Sequence, residues 1–434
     1  MNKRPFILVM LLAAATTVSA MDVTVDQAVE MALSNNKSLQ SSAIDVDMAR
    51  EADAVSWNGF LPTVQTTANL THANDVSSIY KKLYPSLNLK PTTSFSFGLT
   101  MSFSFNPALI TNMELAKKKL AAGLITYAQA KAEMTLNVKK LFYAILLQEE
   151  SLKIQETTLD NSRSRMEQAE DMYTKGYATE LSSLQAQVSY ENLKATTLKA
   201  RQALAQQKDS FAFLLGMENS KDLNLVGAIE TEFGDIDRNT ALLGLAARYD
   251  VVSLDEQIDI LSTQRKALDL QTWVPSVSLS LGWQPYLSDI TANWGNADSW
   301  YDSGSSPSLT VAWNLTGLLP WSTQRQNAKT LEDNKRKLQI SRSLAVDNAR
   351  MEINKLLDTL DQAKEAIQNS ERSIDLAQKS YDMTTLAYQA GTTELLDVRD
   401  SEAQLNQAKL GKLNEQYNYL SALLDLQYAT QTTL

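Results

Sequence analysis

The 434-residue chain carries 40 Lys and Arg against 50 Asp and Glu, one histidine and no cysteine. An acidic balance disfavours nucleic acid, which needs a Lys/Arg surplus on one face. The lack of cysteine excludes disulfides and a cysteine-linked lipid, and one histidine with no cysteine leaves little for metal or hydrolytic chemistry. No catalytic, cofactor or metal residues stand out.

Lys3 and Arg4 precede an uncharged apolar run from Phe6 to Ala15, followed by the small residues Val18-Ser19-Ala20. This is the pattern of a secretory signal peptide over residues 1–20; the run is shorter than the ~20 residues that span a bilayer. The mature chain is expected to begin near Met21, and losing Lys3 and Arg4 takes the formal charge from −10 to −12. No later stretch resembles a transmembrane helix. A membrane span would therefore be made of strands, because only helices and closed barrels satisfy the backbone in lipid.

Much of the mature chain is written twice. Phe60-Leu61-Pro62-Thr63-Val64 matches Trp273-Val274-Pro275-Ser276-Val277, and Tyr173-Thr174-Lys175-Gly176 matches Tyr388-Gln389-Ala390-Gly391. Thr179-Glu180-Leu181 then matches Thr393-Glu394-Leu395. The reading is a first repeat over 21–217, a linker over 218–238 and a second repeat over 239–434. The period far exceeds that of short-repeat solenoids.

Each repeat opens with two alternating stretches, expected as strands at about 62–72 and 92–105, then about 275–284 and 307–315. From Ser94 to Phe105, phenylalanines, Leu99 and Met101 share one face while serines, Thr100 and Gly98 share the other. Val64, Ala68 and Leu70, then Val277, Leu279, Leu281 and Trp283, then Leu309, Val311, Trp313 and Leu315 continue the theme. Period-two alternation makes a strand with one apolar face. A polar face almost without charge suits a water-filled lumen, with lipid on the other side; a soluble sandwich with one wet face shares the pattern. Turn-forming loops, Asn74 to Pro91 and Ser288 to Pro307, join each pair. Trp294, Trp300 and Tyr301 suit either a membrane–water boundary or packing within the loop.

The remainder reads as helix. From Val346 through Ala349, Ile353, Leu360, Ile367, Ile374 and Tyr381 to Tyr388, apolar positions advance in steps of three and four, a coiled-coil seam. The first repeat shows the same steps from Met134 to Tyr173, with Gln148, Gln155 and Ser162 in the seam, so that helix packs less tightly or faces water. Helices from about Ile110 to Lys175 and about Gln324 to Ala390, each ~100 Å at ~1.5 Å per residue, turn at Gly176 and Gly391 and return through Leu181–Leu215 and Leu395–Tyr428. Four strands cannot close a barrel when the smallest membrane barrels use ~8, and an open sheet in lipid leaves unsatisfied edges. Several copies are expected to share one barrel under closed symmetry; strand counting permits two, three or more.

The order of these features resembles that of the TolC-like outer-membrane efflux proteins over nearly the whole mature chain. Ala32 to Leu39 resembles an early helix signature, with Lys37 in place of its usual proline, and Phe105-Asn106-Pro107 resembles the strand-to-helix junction. The most specific match is Tyr388-x-x-Gly391-Thr392-x-x-x-x-Asp397-Val398-x-Asp400. The resemblance implies a mainly α fold with a membrane β-barrel: a homotrimer with a twelve-stranded barrel and a twelve-helix tunnel, in the outer membrane with a long periplasmic extension. It implies a passive duct for efflux or type I secretion, gated by Tyr388, Asp397 and Asp400. The hairpin tips, Gly176 and Tyr177 with Gly391 and Thr392, would dock a periplasmic adaptor (membrane fusion) protein and, through it, an inner-membrane transporter. In the first repeat Ser182 or Ser183 stands where relatives often carry an acid, and Thr393 where a basic tether can occur, leaving Arg399 as a candidate for holding the entrance.

Read by spacing alone, Asp397 and Asp400 lie on one helix face. In a threefold assembly they form carboxylate rings that favour cations; in any assembly they stabilise a helix start through its dipole. The two glycines allow tight left-handed turns. The rival class is a structural coiled-coil envelope tether or surface filament, which accounts for the helices but not for the four alternating strands.

Overall fold

The computed structural model describes residues 21–75, 82–83, 92–218, 223–229, 231, 233–234, 236–302 and 304–431. The expected leader, most of the first strand-joining loop and parts of the 218–238 linker lie outside the described residues. The first half runs β1 (Met21–Val23), α1 (Val25–Asn35), α2 (Lys37–Ala54), β2 (Thr63–His72), β3 (Thr93–Phe105), α3 (Ala108–Thr174) and α4 (Glu180–Leu214). The second runs β4 (Leu223–Leu225), α5 (Arg238–Leu243), α6 (Tyr249–Trp273), β5 (Ser276–Trp283), β6 (Tyr286–Leu287), β7 (Trp300–Tyr301), β8 (Ser306–Ala312), α7 (Thr323–Gln389) and α8 (Leu395–Thr430). No helix among the described residues is long and apolar enough to cross a membrane.

The compact units do not follow the sequence repeats. One draws on residues up to Ala43, Tyr127–Arg248 and those from Val346; the other on Ile44–Thr126 and Tyr249–Ala345. Each takes chain from both halves because α2, α3 and α7 contribute to both.

In the first unit, each helical hairpin has its own apolar core. Val138, Phe142, Ile145 and Leu146 of α3 pack with Leu204, Phe211 and Leu215, joined by Val23, Ala28 and Ala32 from the amino-terminal segment. Ala349, Ile353, Leu357, Leu360 and Ile367 of α7 pack with Tyr419, Ala422 and Leu426 of α8, joined by Ala241 and Leu245. Each fully buried large apolar side chain stabilises by roughly 1.5–3 kcal/mol. Ser162, a seam position expected to pack less tightly or face water, is buried. The two cores share no residue. Between the hairpins α3 and α8 also meet through polar contacts. The Tyr428 hydroxyl donates to Glu133 (3.0 Å), Lys140 to Asp425 (2.8 and 2.9 Å), and Asn406 to Thr158 (2.9 Å). Asn161 donates to one oxygen of Glu402 (2.7 Å) and Arg165 pairs with the other. Glu402 is buried, with 5% of its surface exposed.

Two small devices close this unit. β1 and β4 pair in parallel, Met21 opposite Leu223 and Val23 opposite Leu225. Asn36 breaks the chain between α1 and α2. Its amide donates to the Leu214 carbonyl at the end of α4 (2.9 Å), and its oxygen accepts from the Ser38 (2.9 Å) and Leu39 (3.2 Å) N–H groups.

In the second unit the strands order β2-β3-β5-β8, all antiparallel. β6 continues the β5 register along β3, with the Pro285 carbonyl accepting from the Phe97 N–H between them (3.0 Å). The strand expected over 307–315 ends at Ala312. Trp313 and Leu315 leave it because the Asn314 side chain accepts from the Thr316 N–H (3.2 Å) and opens a 3-10 turn over Leu315–Leu318. The loop tryptophans pack: the rings of Trp294 and Trp300 lie 5.0 and 6.1 Å from Phe95, and the Trp300 indole donates to the Trp294 carbonyl (3.0 Å). Tyr301 stacks on Tyr286. The helical part of this unit carries its own ion pairs: Lys118 with Asp259 (3.2 Å), Lys266 with Glu114 (3.2 Å) and Arg342 with Asp255.

The buried pair yields a double-mutant test. Arg165→Met leaves the Glu402 carboxylate buried without its cation and should cost ~3–5 kcal/mol, whereas Arg165→Met with Glu402→Leu should recover most of it. The guanidinium midpoint of helical circular dichroism in detergent measures both. A double variant no better than the single one would show that Glu402 is not the stranded charge.

Candidate functional site at the helical turns

Two turns of the first unit carry the residues singled out in the sequence. Both are Schellman motifs. After α3, the Tyr177 N–H reaches the Met172 carbonyl (2.8 Å) and the Gly176 N–H reaches Tyr173 (3.0 Å). After α7, the Thr392 N–H reaches the Ala387 carbonyl (2.9 Å) and the Gly391 N–H reaches Tyr388 (2.9 Å). Gly176 and Gly391 sit at φ +79° and +75°, the left-handed region that glycine enters without a Cβ penalty. Nothing lies within 4 Å of where a Cβ would be at either. The turns are of equal length, so Thr179, which caps α4 by accepting from the Ser182 N–H (3.2 Å), corresponds to Glu394 before α8, and Ser182 to Asp397.

The turns differ chemically. The first presents Tyr177, 80% exposed, with Met172 and Tyr173 partly exposed beside it. The second presents Thr392, Glu394, Asp397, Arg399 and Asp400, all exposed. Asp397 acts as a helix-start residue: its Oδ2 accepts from the Glu394 N–H (3.3 Å) and from the Thr393 hydroxyl. Val398, between the acids, is buried.

A groove of about 980 Å³ lies between the hairpins next to the turns. Leu181, Leu184 and Val188 of α4 line one side; Tyr388, Leu396 and Arg399 line the other. Tyr388 and Arg399 thus come together, while Asp397 and Asp400 do not line the groove. Glu402 and its partners Arg165 and Asn161 were not singled out in the sequence. The available signal was an acid in the buried stripe Val398, Glu402, Leu405 of α8. His72, the lone histidine, hydrogen-bonds Thr93 across the strand pair (2.8 Å).

Residues 28–217 match the profile of the family described as OEP, outer membrane efflux protein. The chain is 21% identical to the probable outer membrane lipoprotein SilC of Salmonella typhimurium over 94% of this chain and 84% of that one. It is 21% identical to the outer membrane protein TolC of Vibrio cholerae serotype O1 over 92% and 88%. Among solved structures, the CmeC outer membrane channel of Campylobacter jejuni superposes with a TM-score of 0.79 at 16% identity, covering 94% of this chain and 85% of that one. The fold is that of the solved outer-membrane channels.

The glycines separate strain from crowding. Gly391→Ala meets no atom and should cost ~1–2 kcal/mol of local backbone strain, read as faster amide exchange confined to the last turn of α7. Gly216→Ala would add to similar strain (φ +74°) a Cβ 2.8 Å from the Asn35 carbonyl oxygen, and should loosen the ends of both α1 and α4. Equal, local effects at both sites would remove this distinction.

Proposed function

We propose that this chain is the outer-membrane channel of a tripartite efflux or type I secretion system, a passive duct that carries substrates across the periplasm and outer membrane and catalyses nothing. The sheet carries this reading. Its register gathers the apolar side chains of β2, β3, β5 and β8 on one face and hydroxyl, amide and glycine positions on the other. Every residue of β2 and of β8 is exposed, and each strand is paired on one edge only. An outward apolar band around a polar interior is the pattern of a membrane barrel, and unpaired edges in hydrocarbon cost several kcal/mol per polar group. The match of residues 28–217 to the outer membrane efflux protein profile supports the same location.

Three copies closing β2 of one against β8 of the next give a twelve-stranded barrel, with two repeats, 21–217 and 239–434, per chain. The hairpin tips, at Gly176, Tyr177, Gly391 and Thr392, meet a periplasmic adaptor, and an inner-membrane transporter supplies the driving force. Tyr388, Asp397 and Asp400 form the entrance, where threefold symmetry places six carboxylates in one constriction. Fields from charges between low-dielectric walls act strongly on passing ions.

Mass measurement of the detergent-extracted protein should give three chains; a stable monomer embedded in membranes would contradict the shared barrel. For the entrance, Asp397→Asn with Asp400→Asn should weaken cation selectivity and block by a trivalent cation on the periplasmic side, with folding retained because Asn also accepts at a helix start. Single-channel conductance reads both, and unchanged selectivity and block would leave the aspartates as helix-start residues only.

A further inference from the structure

The polar face of the sheet has a property that alternation alone does not require: it is free of charge. No Asp, Glu, Lys or Arg occurs in β2, β3, β5 or β8. Small groups oppose one another across the strands: Thr67 faces Gly98, Thr100 faces Gly282, and Ser102 faces Ser280. The hydroxyls satisfy each other, Thr63 with Ser102 at 2.6 Å and Ser280 with Ser308 at 2.7 Å. At Gly98 a side chain has no space, since a Cβ would stand 2.5 Å from the Thr67 hydroxyl oxygen. The aromatic residues of these strands, from Phe95 to Phe105 and Trp283, share the other parity, so the polar face offers no ring for stacking.

Resting on the channel reading above, we infer that the strand wall is a charge-blind segment of the duct, passing cations, anions and neutral solutes alike, and that charge selection is confined to other segments. The physical ground is the weakness of any alternative. A ring of three like charges in a water-filled passage changes local ion concentration and encounter rates by roughly tenfold or more. Hydroxyl groups instead both donate and accept and rotate to suit the solute, so they solvate either sign. Small side chains also leave the bore wide and keep solute from lodging.

The absence of cysteine makes the test direct. Single variants Ser280→Cys and Thr100→Cys on the polar face, and Leu279→Cys on the apolar face, are made in the full chain and reacted as membrane-inserted trimers. The probes are positively and negatively charged methanethiosulfonates of similar size. At Ser280→Cys and Thr100→Cys both reagents should react, with a rate ratio within about threefold of their ratio on a small free thiol, because a charged ring would shift it by roughly tenfold or more. Leu279→Cys should resist both. A ratio displaced beyond threefold overturns charge-blindness. Ready reaction at Leu279→Cys with none at the polar-face positions overturns the assignment of faces. Conductance of the unmodified protein is recorded in parallel: absent channels would defeat the channel reading itself, whereas open channels with biased thiol rates defeat only this inference.

Discussion

β3 and β5 have hydrogen-bonded neighbours on both sides; β2 and β8 have one each. A backbone N–H or C=O facing water can be left to the solvent, but in hydrocarbon it cannot. In the proposed channel one face of the sheet would meet hydrocarbon, because Phe, Leu, Val, Met and Trp make up most of it. Helices offer no substitute, since none among the described residues is apolar enough to cross a bilayer. In the proposed channel the incomplete edge would dictate the assembly: the chain would borrow strands from copies of itself.

The helical part solves a different problem with two kinds of contact. Apolar seams hold each hairpin together and are separate from one another. Between the hairpins runs a polar ladder from Glu133–Tyr428 to Arg165–Glu402. Apolar packing is strong but tolerant of sliding. A ladder of specific donors and acceptors adds little net stability, since desolvation offsets most of the attraction, but it is satisfied in only one register. The seams make the hairpins stable; the ladder fixes how they align.

Features that repeat along the chain were legible in the sequence. The alternation of β3 and the three-four steps of α7 need only one strand or one helix to be visible, and each has a buried or paired outcome that the pattern encodes. The glycine turns were legible because only glycine enters the left-handed region freely. What stayed hidden depends on partners distant in sequence. β1 and β4 are three residues each and pair across 200 positions, too short for any period to show. Glu402 reads as one more surface acid of α8 until Asn161 and Arg165 are brought against it. Trp313 and Leu315 kept the strand's period, but Asn314 between them is a capping side chain, and local hydrogen bonding ended the strand first. The loop tryptophans were ambiguous because an amphipathic ring satisfies either setting, and Phe95 supplied a packing partner that spacing cannot reveal.

Asp397 shows how a structural role and the proposed functional one can reside in one carboxylate. Both of its recorded bonds, from the Glu394 N–H and the Thr393 hydroxyl, fall on Oδ2. Neither uses Oδ1. A side chain held by one oxygen has already lost its rotamer freedom, so the other oxygen is presented in a fixed direction at no further entropic cost. Asp400, one turn on, is exposed and lacks such an anchor at the helix start. In a threefold constriction the first ring would thus be rigid and the second able to adjust. A fixed ring gives a standing field, whereas a mobile one can close around a multivalent cation. The helix cap is in this sense a precondition of the proposed entrance, because without it the first ring would not be held in place.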